Sequence, residues 1–308
     1  MNERPEQNEF EEIALLYGIE PSFIEKDWFV TQVVAALATF RYEGFEFIFT
    51  GGTALSKAHS LIKRFSEDVD FRVIAPQDQQ GRKSLSKFKN AVLSHLRKTG
   101  FAIEDAQVKA RDDNRHLAFE FDYSSYFPQD KALRPHVQIE ISIRAPQELA
   151  ISLPVSSFVN TAYNRPPEVE RIGCISPVES AADKLSALAW RIPDRVRGNE
   201  KDDPFLVRHL HDLALLKNRA LADEKFPALV TKAMQVDELR APSISGLSMG
   251  DKFTLMMERL ETDTAYPAEY DTFVKGVSYA AEGEFPDFIM AMQAIRELVI
   301  RTGRHLGQ

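Results

Sequence analysis

A change of period constrains this fold more than any other feature of the chain. Five short segments between residues 45 and 143 are rich in β-branched and aromatic residues: "FEFIFT" (45–50), "DVDFRVI" (68–74), "FAIEDAQV" (101–108), "HLAFEFDY" (116–123) and "HVQIEISI" (136–143). Several of them alternate, which predicts strands. From about residue 176 that signal gives way to apolar residues at helical spacing. "SPVESAADKLSALAWRIP" opens with Ser176 as N-cap, Pro177 at the first helical position and Glu179 to complete a capping box, and it is expected to stop before Pro193. "DDPFLVRHLHDLALLKN" opens similarly at Asp203 and Pro204, and "MGDKFTLMMERLE" and "FPDFIMAMQAIRELVIRTG" continue the pattern. Residues 8–40 also read as helix, interrupted at Gly18 and Pro21. The expectation is an α+β protein: N-terminal helices and a mixed sheet over residues 1–160, then an all-helical domain over 161–308, joined through the irregular stretch 146–175.

Composition narrows the function classes. Of 308 residues 44% are hydrophobic and 27% charged, values of a soluble globular protein, and no apolar run approaches a membrane span. The opening "MNERPEQNEFEE" is polar and acidic, unlike a secretory signal, so a cytoplasmic location is the default expectation. A net charge of −8 argues against a protein that coats nucleic acid, because such binding draws on neutralised phosphates. Any nucleic-acid contact must then use a local patch. One candidate is the helix in "GRKSLSKFKNAVLSHLRKTG", whose Leu85, Phe88, Val92 and Leu96 form an apolar stripe while Arg82, Lys83, Lys87, Lys89, Arg97 and Lys98 carry no acid among them. A solvated face is the ordinary reading of such a run. The single Cys174 cannot form an internal disulfide, and His59, His116, His136, His209 and His211 match no zinc spacing.

The stretch "FTGGTALSKAHSLIKRFSEDVDF" (49–71) concentrates the chemistry. Gly51 and Gly52 fall between a predicted strand and a predicted helix, where unpaired N–H groups favour an anion, although a Gly-Gly pair alone is more often a tight connection. Asp68 and Asp70 are one residue apart on the next strand, so both emerge on one face, roughly 7 Å apart at Cα. Carboxylates aimed together repel unless a cation joins them, and hard Mg²⁺ takes oxygen ligands from one or two carboxylates plus substrate phosphates. Glu140 stands opposite the apolar face of "HVQIEISI" and offers a third acid.

These residues carry a resemblance. A glycine turn opening a helix, an Asp-x-Asp strand and one acid on a later strand look like the nucleotidyltransferase fold shared with polymerase beta. More narrowly, "IEKDWFVTQVVAAL", the 49–71 stretch and "ADKLSALAWR…RHLHDLALL" resemble the AbiEii toxins of abortive-infection and type IV toxin–antitoxin systems, from about residue 12 to 216. The resemblance implies that Gly51, Gly52 and Thr53 hold nucleotide phosphates, with Lys57 and Arg64 nearby, and that Ser66, Asp68 and Asp70 form a Ser-x-Asp-x-Asp motif whose aspartates bind metal. It places Lys184 on the lysine of the helical-lobe motif and Asp212 on the acid that follows. Where relatives often read Arg-Asp-Leu-Tyr-Asp, this chain reads Arg208, His209, Leu210, His211, Asp212, so the first acid is gone. Asp212 could position Lys184 or simply pair with Arg208 one turn earlier. Glu25, Lys26 and Asp27 of "IEKDW" read as braces.

The implied activity is transfer of NMP from an NTP to an acceptor, with Mg²⁺ or Mn²⁺, the acceptor being the tRNA 3′ end and a cognate AbiEi-like antitoxin being a partner. Three alternatives stay open on sequence: a protein side chain as acceptor, a small-molecule (antibiotic) nucleotidyltransferase, and a non-catalytic nucleotide- or RNA-binding module. The last has no need of three acids.

Overall fold

The computed structural model describes residues 1–128, 133–200, 202–240, 242–280 and 283–306. The chain divides into two compact units, Met1–Ile175 and Ser176–Gln308. In the first, helices α1 (Gln7–Tyr17) and α2 (Pro21–Thr39) precede a seven-stranded mixed sheet. Gly18 ends α1 at φ +66°, a left-handed cap that costs glycine no Cβ clash. The strands are β1 (Glu46–Thr50), β2 (Asp68–Ile74), β3 (Val108–Arg111), β4 (His116–Asp122), β5 (His136–Ile143), β6 (Ile151–Val155) and β7 (Val169–Cys174), in the order β3-β4-β5-β2-β1-β7-β6.

Between β1 and β2 runs a short helix, α3 (Gly51–Thr53), and α4 (Arg82–Lys98) follows β2. At the centre of the sheet β2 pairs antiparallel with β1 and parallel with β5. Alternation then sorts the side chains. Val69, Phe71, Val73, Val137, Ile139 and Ile141 join one buried cluster with Val30 and Val34 of α2 and with Leu85, Phe88, Val92 and Leu96 of α4. Asp68, Asp70, Gln138 and Glu140 are left on the opposite, polar face. The basic residues of α4 therefore project from the far side of the sheet, away from those acids.

Three local expectations are corrected in this unit. The stretch 101–108 is not a strand: Phe101 and Ile103 are buried, but the backbone turns, with Ile103 N–H donating to Phe101 O at 3.0 Å, and β3 begins only at Val108. The helix expected after Gly52 is brief, since α3 passes into a single π-helical turn, Ala54–Ala58, and the chain leaves it through Ser60 at φ +53°. The stretch 146–175 contains β6, the short helix α5 (Phe158–Ala162) and β7. Pro154 hides β6 from a sequence reading, yet β6 is the edge strand and the register shifts between Leu153 and Val155, where a missing N–H is tolerated.

The second unit is helical: α6 (Pro177–Asp194), α7 (Arg208–Ala222), α8 (Phe226–Asp237), α9 (Met249–Thr262), α10 (Ala265–Val277) and α11 (Phe288–Leu306). Helix α6 packs against α7, α8 and α9, and α11 packs against α7 and α8. Ser176 caps α6 by accepting from Val178 N–H at 3.2 Å rather than from residue 179, so the expected capping box is replaced by a bond one residue earlier. The helix continues through Pro193 to Asp194, because a proline one residue from the end disturbs only the final turn. Helix α7 starts at Arg208, later than expected, since Asp203 caps a separate turn by accepting from Phe205 N–H at 3.0 Å.

Candidate active site

The glycine turn and the Asp-x-Asp strand are pressed together. Gly51 has φ +77°, and a Cβ built there would lie 2.0 Å from Asp70 Oδ2 and 3.0 Å from Asp70 Cβ. A Cβ on Gly52 would lie 2.6 Å from Arg64 Nη2 and 2.9 Å from Ser66 Oγ. Only glycine lets the Asp70 carboxylate and the Arg64 and Ser66 side chains approach this backbone so closely. Thr53 is fully buried and its hydroxyl donates to the Asp68 carbonyl, which ties the turn to β2. Its hydroxyl proton is thus spent on the backbone.

Register explains which acids share a row. Thr50 of β1, Asp70 of β2 and Glu140 of β5 are successive cross-strand partners, while Asp68 lies opposite Gln138. The three acids share a face without converging: among the described residues no three His, Cys, Asp or Glu side chains gather closely enough to hold a metal ion. Asp68 and Glu140 each take a donor of their own, as mutual repulsion favours. Arg134 Nη1 donates to Asp68 Oδ1 at 2.6 Å and to Gln138 Oε1 at 2.5 Å, and Gln138 Nε2 donates to Glu140 Oε1 at 2.6 Å. Glu67 grips Arg134 from the other side, accepting from its backbone N–H at 2.9 Å with Nε 3.6 Å away. Sequence reasoning missed Arg134, although its place four residues before Gln138 and six before Glu140, at the entry to β5, was a usable signal.

The "IEKDW" residues act as braces, each anchoring a different segment. Glu25 accepts from Arg4, from Ser125 Oγ and, at 3.0 Å, from Tyr126 N–H. Lys26 donates to Arg134 O at 2.7 Å and His136 O at 2.6 Å and pairs with Glu67 at 3.0 Å. Burial lowers its pKa, against the pull of Glu67. Asp27 pairs with Lys57 and accepts from Phe158 N–H at 2.9 Å; burial raises its carboxyl in spite of Lys57. Lys57, expected near phosphates, is therefore engaged with Asp27. Arg64 is 3% exposed, and its Nη1 donates to Phe65 O at 3.0 Å.

In the second unit Lys184 Nζ lies 2.8 Å from Asp212 Oδ2, and Asp212 is fully buried, with His211 Nδ1 3.3 Å from its other oxygen. Arg208 instead pairs with Asp203 at 3.3 Å, which Arg191 also meets at 2.6 Å. Burial opposes ionisation of Asp203, yet the two arginines outweigh it and lower its pKa. His209 stands at the position where the family resemblance implies an acid. Its Nδ1 is buried without a hydrogen-bond partner among the described residues. Burial, then Lys184, Arg208 and Arg191, hold its pKa well below the usual range, so it is neutral at pH 7. Cys174 is buried and its thiol is pushed up to about 12, which removes it as a nucleophile.

The profile of the family described as "Nucleotidyl transferase AbiEii toxin, Type IV TA system" matches residues 36–294. This chain belongs to that family. AbiEii membership makes it a nucleotidyltransferase toxin and implies a nucleotide substrate and an antitoxin partner. The AbiEii chain also has the fold of a solved nucleotidyltransferase toxin, MenT4 from Mycobacterium tuberculosis H37Rv, at 16% identity and a TM-score of 0.52, with 96% of this chain and 98% of that one covered. A STING-associated CdnE c-di-GMP synthase from Capnocytophaga granulosa aligns over 97% of this chain and 87% of its own, at 12% identity and a TM-score of 0.29, too low to argue from. No curated protein matches the sequence. Among the described residues no helix is long and apolar enough to cross a membrane.

Proposed function

We propose that this AbiEii protein transfers NMP from an NTP to the 3′ end of tRNA with the help of a divalent metal ion, and that Asp68 and Asp70 are the metal ligands. The observation that carries the reading is the lodging of the Asp70 carboxylate against Gly51, a cradle that any side chain on that residue would fill. The donor set is all oxygen, which suits Mg²⁺ or Mn²⁺, with Glu140 in the same cross-strand row as Asp70. When bound, the ion would offset charge on the triphosphate and the leaving group.

The chain's own groups do the rest. Backbone N–H groups of the Gly51–Gly52 turn, with Arg64 and Ser66 close to Gly52, are suited to hold phosphate oxygens. In the reaction an acceptor hydroxyl oxygen bonds to the α-phosphorus while the bridge to the β-phosphate breaks and pyrophosphate leaves. A carboxylate of the Asp68–Asp70 pair is suited to take the hydroxyl proton. Lys184, a cation held by buried Asp212, has the chemistry for a phosphate ligand, and charge on the departing pyrophosphate is where such a cation helps most.

The acceptor is inferred from family resemblance, and helix α4 is not assigned to it, because its basic residues project from the far side of the sheet. Incubation with each α-labelled NTP, Mg²⁺ and either total RNA or total protein tests the reading. Label in the tRNA band supports it; label in protein, or in neither pool, defeats the acceptor assignment.

A further inference from the structure

Arg134 is a cation seated on Asp68 that no sequence motif predicts. Its guanidinium donates to Asp68 Oδ1 at 2.6 Å, the atom a metal ligand would present, and to Gln138, whose amide holds Glu140. The placement is built rather than incidental. Buried Lys26 clamps the backbone carbonyls of Arg134 and His136, at 2.7 and 2.6 Å, and pairs with Glu67 at 3.0 Å. Glu67 in turn accepts from the Arg134 backbone N–H at 2.9 Å. The chain thus spends a buried lysine and an extra glutamate on aiming one arginine at one aspartate.

We propose that Arg134 is an exchangeable counter-ion for Asp68: it neutralises the carboxylate while the metal is away and yields Oδ1 when the metal arrives. The proposal rests on the metal-site reading above. Two cations competing for one oxygen are linked, so whatever Arg134 gains by holding Asp68 is subtracted from metal affinity. At 34% exposure the Arg134 side chain is partly screened, so the competition is worth less than a buried pair. Removing it should tighten metal binding roughly three- to tenfold, where tenfold corresponds to about 1.4 kcal/mol. A residue that merely stabilised the sheet would have the opposite sign or none.

The test is Mn²⁺ titration of the full chain without nucleotide, free Mn²⁺ being read from its EPR signal. Arg134→Gln should bind Mn²⁺ roughly three- to tenfold tighter than the parent, and Arg134→Lys, which keeps the charge but not the fork shared with Gln138, should fall between. In an Asp68→Asn background Arg134→Gln should change nothing. Unchanged or weaker Mn²⁺ binding in both Arg134→Gln and Arg134→Lys, with Asp68→Asn still impaired, would overturn the exchange while leaving the metal site standing. Equal Mn²⁺ binding by parent and Asp68→Asn would overturn the metal site and the exchange together.

Discussion

Substituting three glycines separates backbone strain from the geometry of the site. Gly18 and Gly51 both have positive φ, +66° and +77°, so alanine at either pays the left-handed penalty of about 1–2 kcal/mol. At Gly18 nothing lies within 4 Å of the added Cβ, and the penalty should end there. At Gly51 the Cβ would sit 2.0 Å from Asp70 Oδ2, so reaching the 3.4 Å of ordinary contact needs a retreat of about 1.4 Å. The Asp70 side chain is short and its Cβ is only 3.0 Å away, which leaves little room to retreat without moving β2. A displacement of about 1 Å at a reacting group costs on the order of 100-fold. Gly51→Ala should therefore lose about two orders of magnitude in kcat/KM for NMP transfer and a further ~1–3 kcal/mol of stability from overpacking. Gly52→Ala meets the far end of Arg64 at 2.6 Å, a side chain that can bend, and should fall between the two. Urea unfolding gives the stabilities and transfer of α-labelled NMP gives the activities. If Gly51→Ala matched Gly18→Ala in both, the claim that Asp70 is held against this turn would be wrong.

The buried Asp27–Lys57 pair makes a second prediction: Asp27→Ala strands a buried cation and should cost about 3–5 kcal/mol, whereas Asp27→Leu with Lys57→Met should restore most of that stability. If Lys57 only braces, the double variant also keeps its transfer activity; activity lost at restored stability would return Lys57 to the substrate. The third concerns pH. Because the folded pKa of His209 lies below its unfolded value, the unfolded chain binds the extra proton between the two, so this contribution is complete above about pH 6.5 and is lost as pH falls towards the folded pKa. The slope should approach about 1.4 kcal/mol per pH unit, and His209→Gln should flatten it; an equal slope in that variant would clear His209 of the effect. Finally, reversing Lys83, Lys87 and Lys98 on the far side of the sheet should leave transfer and its salt dependence unchanged, and a flattened salt slope would show that the acceptor reaches round to α4.

The acids were legible because strand alternation is a local rule: Val69, Phe71 and Val73 had to point one way, so Asp68 and Asp70 had to point the other. Glu140 followed from the same rule on β5, and the parallel register then set it opposite Asp70. What lay beyond one strand was harder to read. Nothing in the spacing of "IEKDW" says that its three charged residues reach Tyr126, Arg134 and Lys57, each far away in sequence, because such contacts depend on the closed fold. Arg134 is missed for that reason, and the resemblance sets Lys57 near phosphates because the local motif gives no sign of Asp27. Strands β6 and β7 escaped because Pro154, Glu170, Arg171 and Gly173 break the apolar alternation, whereas Phe101 and Ile103 supplied alternation where the chain forms a loop. Local pattern reports burial faithfully and hydrogen-bond pairing only indirectly.

The central claim is that Asp68 and Asp70 support attack on the α-phosphorus of an NTP, and parallel reactions with α- and γ-labelled NTP test it most directly. Parent protein should move the α-label to the acceptor and release the γ-label as pyrophosphate, while Asp68→Asn and Asp70→Asn, with unfolding transitions close to the parent's, should move neither label. Transfer of the γ-label, or undiminished transfer of the α-label by both folded asparagine variants, would contradict the account.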